Sequence, residues 1–191
     1  MAAPVERITM PIAIVVIVLV LLAVGGISIY NGIVTKRNRC DNAWQTIETQ
    51  LQRRNDLIPN LVETVKGYAS HESKTLEAVT AARTAVTNAS TPEARMQAND
   101  ALSGALTHLF AVAEAYPELK ANTNFQQLQS ELSDTEDKIS YARMSFNDCV
   151  LEYNNAIQTF PGNIIAGSKF NPRQGFEVAD SAARQAPTVK F

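Results

Sequence analysis

Two histidines, two cysteines and scattered carboxylates are the side chains in this 191-residue chain that could do acid–base, nucleophilic or metal chemistry. His71-Glu72 starts like the zinc motif H-E-x-x-H, in which two histidines one turn apart ligate the metal and the glutamate is the base. Thr75 stands where the second histidine is needed, so no such site is expected. Neither His71 nor His108 follows a glutamate at Glu-x-x-His spacing, which excludes the di-iron carboxylate signature of helical bundles. Cys40 and Cys149 lack C-x-x-C partners, so redox-motif and zinc-ribbon readings fail. Two free thiols in a reducing compartment are expected, with a Cys40–Cys149 bridge as the alternative in an oxidising one. There is no G-x-S-x-G elbow and no Gly-rich phosphate loop. Catalytic, cofactor-binding and metal-ligating residues are therefore expected to be none. The net charge of −2 supplies no basic field, so nucleic acid is not an expected partner.

Three polar clusters remain. Gln52-Arg53-Arg54-Asn55-Asp56 lies mid-helix, and charge runs of this kind are commonly solvated faces. The functional alternative is that Arg54 falls on the inward stripe and meets a carboxylate from a later helix. Glu131 and Glu136, which flank Thr135, are the candidates, and such a layer could fix helix register. Asn60, Asn147, Asn154 and Asn155 form the second cluster. Asparagine is a poor helix former, so its recurrence in long helices points to side-chain hydrogen bonds across the fold or to a partner. The third is Glu114-Ala115-Tyr116-Pro117-Glu118-Leu119-Lys120, a hairpin tip read as turn chemistry or as an exposed contact point.

Helices must position these groups. From Phe125 to Phe160 apolar or small residues recur at Phe125, Leu128, Leu132, Thr135, Ile139, Ala142, Phe146, Cys149, Tyr153, Ala156 and Phe160. That alternating 3, 4 spacing predicts a heptad seam on a helix roughly 54 Å long, ended by Phe160-Pro161-Gly162. An earlier helix is predicted from just beyond Thr35 to the region of Gly67–Ser70, with Trp44, Ile47, Leu51, Ile58, Leu61, Val65 and Tyr68 on one face. Pro59 should interrupt it by removing a hydrogen bond to the carbonyl of Asn55. Two shorter helices are expected between. One runs from about Glu72 to Ala89 with Leu76, Val79, Ala82 and Val86 inward. The other starts at a Thr91 cap and Pro92, and ends near Tyr116 with Ala98, Leu102, Ala105, Leu109 and Val112 inward.

The N-terminal region differs. Ile8 to Thr35 contains no charged residue, and Ile12 to Ile29 is rich in Ile, Val and Leu. About 20 apolar residues span a bilayer as a helix. Ala23-Val24-Gly25 offers a signal-peptide-like cleavage triplet, but the apolar run continues to Ile33, so a retained anchor is expected. Arg7 precedes the run, and Lys36, Arg37 and Arg39 follow it. The positive-inside rule therefore puts the N-terminus outside and the rest in the cytoplasm.

The expected class is all-α. It comprises a short tail at 1–9, a transmembrane helix at 10–34, an antiparallel four-helix bundle at 36–160 with long first and last helices, and an extended strap at 161–191 carrying Phe170, Phe176, Val189 and Phe191. The bilayer is the one partner this implies directly.

The same residues resemble the LemA family. The resemblance lies in Gln50-Leu51-Gln52-Arg53-Arg54-Asn55-Asp56-Leu57-Ile58-Pro59-Asn60-Leu61-Val62, in Val65-Lys66-Gly67-Tyr68-Ala69 with His71-Glu72, and in Glu114 to Asn122. It extends to Tyr30-Asn31, Ala43-Trp44, Leu128 to Leu132, Thr135-Glu136, Tyr153-Asn154, Phe160-Pro161, Asn163-Ile164 and Ala186-Pro187 with Val189 and Phe191. Phe146-Asn147 departs from the family's usual Tyr-Asn, which puts a hydrogen bond from that ring in doubt. The resemblance implies a bacterial cell-membrane protein with one span and a helical bundle, without established catalytic activity. Membrane metalloproteases are implied as partners, and relatives act in magnetosome membrane formation. A non-enzymatic scaffold or adaptor in membrane organisation or protein quality control, binding unidentified membrane proteins or its own copies, is thus expected. A membrane-remodelling coat, or an enzyme with an unrecognised site in the bundle, are the alternatives.

Overall fold

A computed structural model describes the chain from Val5 to Phe176, with side chains from Ile12 onward. Val189, Phe191 and most of the strap lie outside the described residues. Among the described residues all regular structure is helical: α1 (Val5–Lys66), α2 (Ser73–Asn88), α3 (Pro92–Ala113), α4 (Pro117–Lys120), α5 (Thr123–Gln158) and α6 (Gly162–Ala166).

The first difference from the sequence reading is at Thr35. In place of a membrane helix followed by a new one, α1 is a single helix of 62 residues. Nothing between Asn31 and Asn42 stops it. There is no proline, and the lone Gly32 costs only about 1 kcal/mol in a helix interior. The most apolar stretch of α1 has a mean hydropathy of 3.2 and none of it is buried, with Leu21 65% and Leu22 67% exposed. Side chains of this type facing outward along about 20 residues need hydrocarbon around them.

The described residues form two compact units. An anchor unit comprises those of Met1–Asn42 and Asp148–Gln174, and a core unit those of Ala43–Asn147 with Gly175 and Phe176. The core unit is a helical bundle built from 3- and 4-spaced stripes. Ile58, Leu61 and Val65 of α1 share one apolar cluster with Leu76, Val79 and Val86 of α2 and with Leu102, Leu106 and Leu109 of α3. Leu119 of α4 and Phe125 and Leu132 of α5 complete it. Each such side chain contributes about 1.5–3 kcal/mol by leaving water. Thr91 caps α3 as expected from its type: its hydroxyl accepts from the Ala94 amide at 3.1 Å, with Pro92 in the first turn.

The α3 stripe is rotated from the expected one. Met96, Asn99, Leu102, Leu106, Leu109 and Ala113 are buried, while Ala98, Ala105 and Val112 are only partly so. Met96 and Leu106 take interior places expected of Ala98 and Ala105, because the larger side chains remove more apolar surface from water. Beyond Ala113 an unforeseen single turn, α4, fills the hairpin tip.

On α5 the heptad seam also shifts. The buried residues run through Phe146, Val150, Tyr153 and Ile157, whereas Phe160 lies beyond the helix and is 79% exposed. An α-helix of 3.6 residues per turn drifts by about 20° per heptad against a strict seven-residue repeat. Over this length the drift moves the stripe from Cys149 and Ala156 to Val150 and Ile157.

Pro59 lies within α1 without ending it. The Asn55 carbonyl, which its missing N–H leaves free, accepts Nε of Arg83 from α2 at 3.2 Å. The Asn55 side chain adds a bond to the Thr87 hydroxyl at 2.9 Å. The gap in one helix ladder is thus filled by a cation from the next.

In the anchor unit, Lys36 meets Glu152 at 3.0 Å and Asp41 meets Arg173 at 2.7 Å. Phe170 packs edge-on against Tyr30, ring centres 5.6 Å apart, with the Arg37 guanidinium 5.7 Å above it. Where an extended strap is expected after Phe160, the chain first makes α6. Gly162 starts this helix because a Cβ there would run into the carbonyl of Ala156. Cys40 and Cys149 are both free. Burial pushes the Cys40 thiol above its ordinary value, with nearby Arg173 opposing.

Candidate functional site

Arg54 lies three residues after Leu51 and four before Ile58, on the buried face of α1, and is 3% exposed. A buried guanidinium is costly unless most of its charge is met by partners. Its Nη1 lies 2.7 Å from Oδ1 of Asn99, 2.9 Å from the Ser103 hydroxyl and 2.5 Å from Oε2 of Glu136. Asn99 and Ser103 come from α3 and Glu136 from α5, so one nitrogen ties three helices of the core unit. The Ser103 hydroxyl also sits 3.2 Å from Glu136. Two turns beyond Glu136 on α5, Arg143 reaches Asp100 of α3 at 2.9 Å. Burial pushes Arg54 below its ordinary value, with Glu136 and then Asp100 pulling it back.

The Glu136 side chain is 45% exposed, so the Coulombic part of the pair is screened and the hydrogen bonds carry more of the interaction. Beside the pair lies a cavity of about 640 Å³, open to solvent and lined by Arg54, Ser103, Glu136, Phe110 and hydroxyl and amide side chains of α5. Nε of Arg54 and Nδ2 of Asn99 have no protein partner. Acid–base chemistry needs a group poised to gain and lose a proton near neutrality, and an ion-paired arginine is not one.

Of the two carboxylates expected near Arg54, only Glu136 is there. Glu131 accepts instead from the Gln127 side chain at 2.9 Å, one turn away on the same helix. Thr135, fully buried, donates its hydroxyl to the Leu132 carbonyl at 2.8 Å. Asn60 is exposed, and its backbone carbonyl accepts the Thr64 hydroxyl at 2.7 Å. Asn99 and Ser103 are the partners that sequence reasoning missed. Asn99 is an amide placed at 3-residue spacing among Met96, Leu102 and Leu106, and that break in an apolar stripe is the readable signal.

The later asparagines do different work. Asn147 Nδ2 donates to the Phe176 carbonyl at 2.8 Å, and its Oδ1 accepts the Phe176 amide at 2.8 Å. Asn154 repeats the arrangement in the anchor unit: Nδ2 to the Arg173 carbonyl at 2.8 Å, and Oδ1 from the Arg173 amide at 2.9 Å. Each carboxamide imitates a peptide group and closes the two-bond pair of a β-ladder with the passing chain. Gly175 is the close point at the first clasp, because a Cβ there would stand 2.8 Å from Oδ1 of Asn147. The Phe176 ring stacks on Phe146 at 4.8 Å and leans on Trp44 at 5.6 Å. The ring of Phe146, lacking a hydroxyl, also packs edge-on against Trp44, ring centres 6.3 Å apart. Tyr153 supplies an anchor-unit contact, its hydroxyl donating to the Asn171 carbonyl at 3.0 Å.

The hairpin tip and the histidine region are also tied internally. The Tyr116 hydroxyl donates to Glu72 at 3.0 Å, which raises the tyrosine's pKa, and Lys120 pairs with Glu114 at 2.5 Å. His71 and His108 are exposed. Among the described residues no group of three or more His, Cys, Asp or Glu could hold a metal ion.

Protein LemA from Metamycoplasma hominis is 29% identical to this chain, the match covering 71% of this chain and 63% of that protein. Magnetosome protein MamQ from Magnetospirillum gryphiswaldense is 28% identical over 72% of this chain and 60% of its own length. Magnetosome protein MamQ 2 from Paramagnetospirillum magneticum is 26% identical with the same coverage. The chain thus spans less than two thirds of these curated relatives. The sequence model of the LemA family matches residues 43–191, which takes in the Arg54 layer and both asparagine clasps. With an apolar N-terminal helix ahead of that region, the chain is a membrane-anchored helical protein that belongs to the LemA family.

Proposed function

We propose that this chain is a membrane-anchored, non-enzymatic scaffold or adaptor of the LemA type, which binds partner proteins or its own copies through the outer faces of an antiparallel four-helix bundle. The observation that carries this reading is how the polar side chains are spent. Arg54, Asn99, Glu136, Asn147 and Asn154 are engaged in holding helices and chain together. Among the exposed side chains of α5 in the core unit, otherwise polar, stand two large apolar ones: Tyr141 is 69% and Met144 49% exposed, one turn apart on one face. An exposed aromatic–methionine pair is suited to contact with another protein. The chain sits in a bacterial cell membrane with its N-terminus outside and the bundle in the cytoplasm, on the strength of Lys36, Arg37 and Arg39 following the span. By family analogy a membrane metalloprotease is one such partner.

Photo-crosslinkers at Tyr141 and Met144 in intact membranes, read by mass spectrometry, test the proposal. Adducts to a small set of proteins, or to other copies of this chain, are expected. Adducts to lipid and solvent alone, together with a strictly monomeric mass in detergent, would overturn it. Stoichiometric iron, manganese or zinc in the purified protein would favour an enzyme instead. A membrane-remodelling coat is the second reading, favoured by the similarity to two proteins named as magnetosome proteins. It requires ordered self-assembly on vesicles.

A further inference from the structure

Phe160 and Ile164, 79% and 71% exposed, stand at the corner between α5 and α6 in the anchor unit. Two large apolar side chains left bare within five residues of chain need a partner. Their place along α1 identifies one. Gly162, midway between them, lies against Ile33: a Cβ there would be 4.0 Å from Cδ1 of Ile33. Ile33 is 21 residues beyond Ile12, where the stretch rich in Ile, Val and Leu begins in the sequence (33 − 12). At 1.5 Å per residue that is roughly 32 Å, about the thickness of the hydrocarbon layer.

Other contacts of the unit agree on this level. Tyr30, a residue type favoured at the membrane surface, packs on Phe170, and Lys36 and Arg37 follow within two turns. Outward-facing aliphatic side chains on α1 extend to Ile27, and protein contact begins at Ile29 and Ile33. From Ile12 onward the unit carries five cations (Lys36, Arg37, Arg39, Lys169, Arg173) against three carboxylates (Asp41, Asp148, Glu152), a balance suited to lipid phosphates.

We infer that the α5–α6 corner is a second membrane contact, in which Phe160 and Ile164 enter the interfacial layer of the same bilayer that α1 spans. The corner stands at the level of α1 where its exposed aliphatic side chains end, and the bilayer is its occupant. The corner thereby fixes the depth and tilt of the anchor unit, which a single helix alone leaves free.

The test uses the full chain reconstituted in phosphatidylcholine–phosphatidylglycerol vesicles containing lipids brominated near the headgroup end of the acyl chain. Phe160→Trp, Ile164→Trp and Leu151→Trp are compared, with Trp44 as the common background. Leu151 is 60% exposed and lies seven residues before Gln158, the last residue of α5, about 10 Å along the helix axis. Quenching of the added fluorescence at 160 and 164 should be at least twofold stronger than at 151. Equal, weak quenching at all three positions would overturn the inference. So would a blue-shifted but unquenched tryptophan at 160 or 164, which would mean that residues 177–191, a second copy or another protein covers the corner. If one substitution prevents folding, the other carries the comparison.

Discussion

Arg54 concentrates the cost and the benefit of polarity in the core unit. Removing its guanidinium leaves Asn99 buried without its partner and Glu136 without its counter-ion. Because Glu136 is partly solvated, the loss is mostly that of the hydrogen bonds. Arg54→Ala should destabilise by about 2–3 kcal/mol, whereas exposed Arg53→Ala should stay within about 0.5 kcal/mol. Equal melting temperatures for the two variants would reject the buried layer. Cys40 offers a second residue-scale test. Burial favours its neutral thiol, so its stabilising contribution is present below the thiol's ordinary value and falls away as pH rises through the raised one. At mildly alkaline pH, maleimide labelling followed by mass spectrometry should modify Cys149 well before Cys40.

The elements are linked through their irregularities. If Arg83 fills the acceptor that Pro59 vacates, the two residues should be coupled: Pro59→Ala restores the backbone N–H and makes Arg83 dispensable. A double-mutant cycle should therefore give Arg83→Ala a smaller cost in the Pro59→Ala background, by about 1 kcal/mol. Additive effects in denaturant melts would show that the bond carries no weight. The vacancy itself is legible in the sequence, since any helical proline leaves the carbonyl four residues back unpaired. Its donor is not, because that depends on how α2 docks. Arg54's inward place follows from its spacing to Leu51 and Ile58, but choosing Glu136 over Glu131 required the rotation of α5. A fixed 3, 4 repeat misplaces the stripes of α3 and α5, because burial follows side-chain size on the first and helical drift on the second.

At the scale of the molecule, an apolar helix and a LemA-type bundle occupy one chain, and α1 serves both. The helical class and the anchor were readable from hydropathy and periodicity. The continuity of α1 was not, because a sequence without a stop signal still permits a turn after a membrane span. Orientation can be measured directly. A reporter fused after Phe191 that is active only in the cytoplasm should function, and one requiring export should be silent; the opposite pattern would reverse the topology.

The asparagine clasps have one more implication. A carboxamide that pairs with a peptide group senses only that a backbone is present, so Asn147 and Asn154 grip without reading side chains. What they grip is indexed by the rings of Phe170 and Phe176, which find Tyr30 in one case and Phe146 and Trp44 in the other. Holding and positioning are thus assigned to different residues. Substitutions at Arg173 that keep the backbone should leave the grip intact, whereas loss of a ring should let the held segment slip in register.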